Sequence, residues 1–185
     1  MTEPREFPLP YASTDLSGQV ALVTGTTSGL GWRFARVLAN AGARVALTGR
    51  RTERLDELAA LIRSEGGECA PLRLDMSDMD DVRGIVGRVE QALGTVTILV
   101  NNAGRPDAQH ATKMSPELID DVFDTNLRGP FVLSCEVARR LIETGQPGRM
   151  VNIASLGAFH YVGGGGAALY SITKAGIVRM SEVLA

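Results

Sequence analysis

The chain has 185 residues, 44% of them hydrophobic and 22% charged, with a formal net charge of -2 at pH 7. That length suits one domain with a sizeable core rather than two, and the composition excludes a disordered, collagen-like or coiled-coil chain. Lys and Arg are scattered without a basic block, so nucleic acid is not an implied partner, and no apolar run reaches the roughly 18 residues that a membrane span needs.

Residues 1–17 carry acids and three prolines with no apolar stretch, so they read as a mobile or surface-lying tail and not as a signal peptide. A cytoplasmic location follows by default, with Cys69 and Cys135 reduced, buried and without a metal role. Residues 19–25, QVALVTG, form a short apolar strand closed by glycine. Residues 30–42 have helical periodicity, with Phe34, Val37, Leu38 and Ala41 on one face, and stop at Gly42. A second strand spans 43–49. The helix that follows within 50–67 turns Leu55, Leu58, Ala59 and Ile62 inward. A third strand covers 69–75, and a helix covers 78–94, acidic at its start as the helix dipole prefers. The fourth strand lies in 95–104. Ser115 as cap and Pro116 at the first position open a long helix. The fifth strand lies in 148–155, and a last helix begins at about Tyr170.

Strands alternating with helices at this spacing predict an α/β fold, a doubly wound, Rossmann-like parallel sheet with helices on both faces. The strands are continuous Val, Ile and Leu runs, which fits burial on both sides. Residues 18–185 form one dinucleotide-binding domain in this reading. The pattern AGIVRMSEVLA meets no stop signal, so the chain reads as ending within the helix that carries Tyr170 and Lys174, with later strands absent.

The stretch VTGTTSGLGWRF joins the first strand to the first helix and is punctuated by Gly25, Gly29 and Gly31. A dinucleotide needs one glycine for the tight turn, one for backbone approach to the pyrophosphate and one for close helix packing. N–H groups at the helix start then hold the anion. The spacing differs from G-x-G-x-x-G, and an ordinary Gly-rich turn is the competing reading. After the second strand come Thr48, Gly49, Arg50 and Arg51, with no acid to meet a ribose 2′-OH. Arg50 suits a 2′-phosphate, so NADP is favoured, with NAD as the alternative. Both arginines as solvated first-turn residues is the other reading.

Taken together, these residues resemble the short-chain dehydrogenase/reductase family, including its 3-oxoacyl-reductase-like members, over roughly residues 16–185. TGTTSGLG is similar to the family's T-G-x-x-x-G-x-G loop, and NNAG at 101–104 to the motif ending its fourth strand. Asn126, Ser155, Tyr170 and Lys174 match the order and spacing of its catalytic tetrad, and Asp75 matches its adenine-contacting position. The resemblance implies an oxidoreductase that moves a hydride between NADP(H) and a carbonyl or secondary alcohol. It implies cofactor contacts from Gly25, Thr27, Ser28, Gly29, Leu30, Gly31, Arg50, Asp75, Met76, Asn102, Ala103, Gly104, Tyr170 and Lys174, and no metal. Tyr170 is the implied acid or base, Ser155 steadies the carbonyl oxygen, Lys174 holds the nicotinamide ribose and Asn126 anchors a relay water. The implied partners are a small-molecule substrate and further copies of the chain, as a tetramer or dimer through the long helix and the tyrosine helix. A catalytically idle nucleotide-binding sensor or scaffold is the alternative; all four tetrad residues being present favours the enzyme.

Elementary chemistry supports these roles. Residues four apart share a helix face, so Tyr170 and Lys174 point the same way. A free phenol titrates near ~10, and an adjacent ammonium with a positive nicotinamide favours the phenolate. Pro130 has no N–H, so the helical bond to the Asn126 carbonyl cannot form and that oxygen is left open for a water. Residues 156–169 read as one wall of a substrate pocket, apolar or mixed in character, where His160 and Tyr161 are substrate-contacting or surface residues. Each tetrad residue alone has an ordinary structural reading, and Trp32 and His110 have no assignment.

Overall fold

Continuous apolar runs bury both of their faces only inside a sheet covered on two sides, and that is what this chain builds. The computed structural model describes residues 14–107, 109–160 and 167–185. Strands β1 (Val20–Thr24), β2 (Arg44–Gly49), β3 (Cys69–Arg73), β4 (Ile98–Asn101) and β5 (Arg149–Asn152) form one sheet in the order β3-β2-β1-β4-β5, every pair parallel. Between them run α1 (Gly29–Asn40), α2 (Thr52–Ser64), α3 (Met79–Leu93), α4 (Pro116–Phe123) and α5 (Gly129–Thr144), and α6 (Ala168–Leu184) follows β5. The chain winds outward from β1 through β2 to β3, then crosses to the other side of β1 for β4 and β5. Order therefore reverses between β1 and β4, the place where such sheets bind ligands at their carboxyl ends.

The core lies on both faces of the sheet. One cluster joins Val23, Val45 and Leu47 to Leu55, Leu58, Ala59 and Ile62 of α2. The other joins Leu22 and Leu99 to Ile85, Val89 and Leu133 of α3 and α5. The inward face predicted for α2 is as observed, and each large aliphatic on it contributes about 1.5–3 kcal/mol by burial.

The face predicted for α1 is corrected. Its buried residues are Gly31, Ala35 and Ala39, with Phe34 and Leu38 flanking them, while Val37 faces outward at 57% exposure and Ala41 is the C-cap. Small residues let this helix lie close to the sheet, so volume overrides hydrophobicity. Trp32 finds an explanation across elements: its ring lies 5.0 Å from the Arg54 guanidinium, tying α1 to α2.

The long helix opened by Ser115 is also corrected. Ser115 Oγ does accept the Leu118 N–H, and Pro116 is at the first turn. Between α4 and α5, however, Asp124–Arg128 is a π turn in which the Gly129 N–H reaches back five residues to the Asp124 carbonyl. Pro130 offers no N–H to this stretch, and widening the turn is how the helix continues. Such bulges concentrate at functional sites. Helix α6 begins at Ala168, two residues earlier than Tyr170.

Cys69 is buried in β3 and Cys135 half-buried in α5, and both are free thiols. The expected tail over residues 1–17 lies mostly outside the described residues, but Leu16 donates its N–H to the Ala41 carbonyl at 2.7 Å and packs on the core. Among the described residues, no helix is long and apolar enough to cross a membrane.

Candidate active site

At the strand-order reversal the carboxyl ends of β1 to β4 enclose a cleft of about 430 Å³. Ten of the fourteen predicted cofactor residues reach it from four loops, and neither Tyr170 nor Lys174 lines it. Gly25, Thr27, Ser28 and Leu30 come from the first, Arg50 from the second, Asp75 and Met76 from the third, and Asn102, Ala103 and Gly104 from the fourth. Gly29 and Gly31 do not line the cleft; they shape the turn beneath it. Gly29 has φ +58°, and Gly31 presses so close to β1 that a Cβ there would sit 2.2 Å from the Gly25 carbonyl oxygen. Ser28 caps α1 without a side-chain hydrogen bond, so the first N–H groups of α1 are left for an anion.

Two loops are fastened to one another by groups that sequence reasoning missed. Thr24 Oγ1, buried at the tip of β1, accepts the N–H groups of Asn102 and Ala103, each at 2.9 Å. The Asn102 side chain donates in return to the carbonyls of Thr24 and Gly25 at 2.8 and 3.2 Å. Asn102 thus lines the cleft while its amide is held in the scaffold.

At the far side of the first loop, Arg51 rather than Arg50 makes the close contacts. Its guanidinium donates to Thr27 Oγ1 at 2.6 Å and Ser28 Oγ at 3.1 Å. Arg50 is exposed and lies 3.9 Å from Asp75. Burial alone would raise the Asp75 carboxyl, but hydrogen bonds from Ser77 and the charges of Arg50 and Arg73 outweigh it and hold the group below its usual range.

Two of the four residues matched to a tetrad, Lys174 and Asn126, come to the Gly104 end of this cleft. A Cβ placed on Gly104 would lie 3.6 Å from Lys174 Nζ and 3.7 Å from Asn126 Oδ1. Lys174 is 4% exposed. Its ammonium donates to the Ile153 carbonyl at 2.6 Å and lies 5.7 Å from the Tyr170 ring centroid. Burial draws its pKa down from the ordinary lysine value. Ser155 leaves β5 in extended conformation, and its Oγ accepts the Gly157 N–H at 3.2 Å to start a 3-10 turn, Leu156–Ala158. Ser171, next to Tyr170, points to the same place: a Cβ on Gly157 would meet Ser171 Oγ at 3.2 Å and Ser155 Oγ at 3.6 Å.

Asn126 is buried in the π turn, with its amide fully engaged. Oδ1 accepts the Arg105 N–H at 2.7 Å, while Nδ2 donates to the Arg105 carbonyl at 2.8 Å and to Thr173 Oγ1 at 3.2 Å. Its side chain is therefore a clasp between the loop after β4 and α6. In the expected pocket wall, Tyr161 and residues 162–166 lie outside the described residues, while Leu156, Phe159 and His160 are exposed.

Comparison with known proteins bears on the family and the fold. The family model described as short chain dehydrogenase matches residues 19–185. A Streptomyces violaceoruber protein, named as a ketoacyl reductase of the granaticin polyketide synthase, is 40% identical over 167 residues, which are 89% of this chain and 60% of that one. The gluconate 5-dehydrogenase of Gluconobacter oxydans is 35% identical over 170 residues, covering 92% of this chain and 65% of its own. The crystal structure of an F189W actinorhodin polyketide ketoreductase with NADPH superimposes with a TM-score of 0.84 at 38% identity, over 90% of this chain and 63% of that one. This chain thus spans less than two thirds of each of these relatives. With the family model matched over residues 19–185 and a parallel sheet of this strand order, the chain belongs to the short-chain dehydrogenase family.

Proposed function

We propose that the protein is an NADP-dependent carbonyl reductase or alcohol dehydrogenase with Tyr170 as its acid or base. The observation that carries this is the approach of Lys174 Nζ and Asn126 to Gly104 at the end of the cleft, with Tyr170 one helical turn away on α6. When bound, NADP(H) supplies or accepts the hydride. In reduction the Tyr170 hydroxyl donates its proton to the substrate carbonyl oxygen, and in oxidation it takes that proton back. Ser155 Oγ holds the same oxygen. The Lys174 ammonium, fixed by the Ile153 carbonyl, holds the nicotinamide ribose. The Asn126 carbonyl anchors a relay water.

The cofactor reading rests on two cations and no acid at the end of β2, where Arg50 and Arg51 both line the cleft. Arg51 is pre-set by its bonds to Thr27 and Ser28, and the NADPH of the actinorhodin ketoreductase supports the same choice. Arg51→Ala and Arg50→Ala are expected to weaken NADPH binding about tenfold to hundredfold, the range of a charge-assisted hydrogen bond, and to leave NADH binding unchanged. Fluorescence titration with both cofactors checks this; equal losses would remove the 2′-phosphate from the account. Around Ser155, Leu156 and Phe159 are 71% and 68% exposed. These exposed apolar side chains, next to Ser155 in sequence, support a ketoacyl-type substrate over a sugar acid.

Full-length protein is to be assayed for loss of NADPH absorbance with a 3-oxoacyl thioester, a cyclic ketone and a keto sugar acid. NADPH binding without turnover of any of them would replace the enzyme by the idle-binder reading. For assembly, an apolar groove joins Phe123, Leu127, Phe131 and Met180, with Phe131 46% and Ile172 58% exposed. It supports self-association of the chain through these helices. Phe131→Glu is expected to lower the sedimentation mass toward a smaller species; an unchanged mass would place the interface elsewhere.

A further inference from the structure

Helix α6 starts in an unusual way. A helix leaves its first N–H groups without internal partners, and a Ser, Thr, Asp or Asn just before the helix normally serves them. Here the N-cap position is Ala167, which has no such side chain and sits at φ +75°. It is the one non-glycine residue with positive φ among the described residues, a conformation costly for a Cβ-bearing residue. Something else must hold the entry in place.

That group comes from 60 residues earlier in the chain. Asp107 is 3% exposed. Its Oδ2 accepts the Leu169 N–H at 2.9 Å and its Oδ1 accepts the Tyr170 N–H at 3.1 Å. Its own carbonyl accepts the Ala167 N–H at 3.2 Å. A carboxylate at a helix start also meets the positive end of the helix dipole. One residue therefore does by tertiary contact what a local cap does elsewhere, and one of the amides it holds belongs to Tyr170 itself.

The loop that carries Asp107 is the one that floors the cleft at Asn102, Ala103 and Gly104. It is held from below by Thr24 and from the side by Asn126 through Arg105. Asp107 and the Asn126–Thr173 bond thus clamp α6 to the cleft floor at two points, either side of Tyr170. We propose that Asp107 is a positioning residue for Tyr170: it sets the start of α6, and so the place of the phenol, relative to the loop that floors the cofactor cleft. This rests on the reading of Tyr170 as acid or base.

The test compares Asp107→Asn, which retains one carbonyl acceptor, with Asp107→Ala, which retains none, in the full-length protein. Asp78→Ala is the control, because Asp78 caps α3 by accepting the Asp80 and Asp81 N–H groups. At saturating cofactor and substrate, kcat is expected to fall about 10²-fold for Asp107→Ala, as for a misplaced catalytic group, and less for Asp107→Asn, with NADPH affinity kept. Asp78→Ala should lose stability and keep kcat. Amide exchange supplies a readout independent of turnover: Leu169 and Tyr170 should exchange at least about tenfold faster in Asp107→Ala, while the later turns of α6 stay protected. Unchanged exchange at those two amides overturns the clamp, whether or not the protein turns over any substrate. Faster exchange with a normal kcat confines Asp107 to stability and overturns its positioning role. Absent turnover in the unaltered protein tells against the oxidoreductase reading and, with altered exchange, leaves the clamp standing.

Discussion

Tyr170→Phe is expected to lower turnover about 10²- to 10⁴-fold, the contribution of a well-placed general acid or base, while NADPH affinity stays as it was. The substitution removes one hydroxyl and keeps the ring, which is half-buried on α6 beside Lys174. The helix keeps its clamps, because Asp107 binds the backbone amide and not the side chain. The described cleft is lined by loops after β1 to β4 and by Thr125, so its walls are untouched. Initial rates of NADPH consumption and a fluorescence titration on the same sample separate the two effects. A phenylalanine variant with a near-normal rate would end the case for Tyr170 as acid or base; one that also lost NADPH would point to a wider role for the ring.

The second large effect is structural. Gly31→Ala places a methyl 2.2 Å from the Gly25 carbonyl oxygen, 2.8 Å from its carbon and 2.5 Å from Asn102 Nδ2. Two of those atoms are backbone, so no rotamer change relieves the overlap, and α1 must lift from β1. Overpacking at a well-packed site costs about 1–3 kcal/mol, and a backbone contact this close belongs at the upper end. A loss of ~3 kcal/mol lowers Tm by roughly 6–12 °C in a domain of this size. The bond from Asn102 to Gly25 opens too, so cofactor affinity should fall with stability. Gly84→Ala is the matched control: Gly84 lies in α3 with no atom within 4 Å of an added Cβ. There alanine is expected to stabilise by about 0.5–1 kcal/mol through lower backbone entropy in the unfolded chain. Thermal melts of both variants decide it, and a Gly31→Ala protein as stable as its parent would remove the close packing argued for this loop.

Patterns that repeat within a few residues are legible in the amino-acid order alone. Leu55, Leu58, Ala59 and Ile62 declare the buried face of α2 by spacing. The apolar runs became the parallel strands expected of them, and Ser115 capped the helix it precedes. The glycine loop and NNAG could be placed at one edge of one sheet, because strand tips are local facts. Where local reasoning failed, packing volume or long-range pairing had decided. Val37 faces outward because the approach of α1 to the sheet favours alanine and glycine beneath it.

What the chain order determined by itself was the set of elements, their alternation and the chemical groups that end up at the carboxyl edge, since these follow from side-chain periodicity and backbone preference. What only the tertiary structure decided was which groups hold that edge in shape. Thr24 under Asn102, Arg51 over Thr27, Asn126 around Arg105 and Asp107 beneath Tyr170 are separated by 78, 24, 21 and 63 residues. No short-range pattern encodes such pairs. They arise when strand order and register bring remote loops together, and burial then requires each exposed N–H and carbonyl to find a partner.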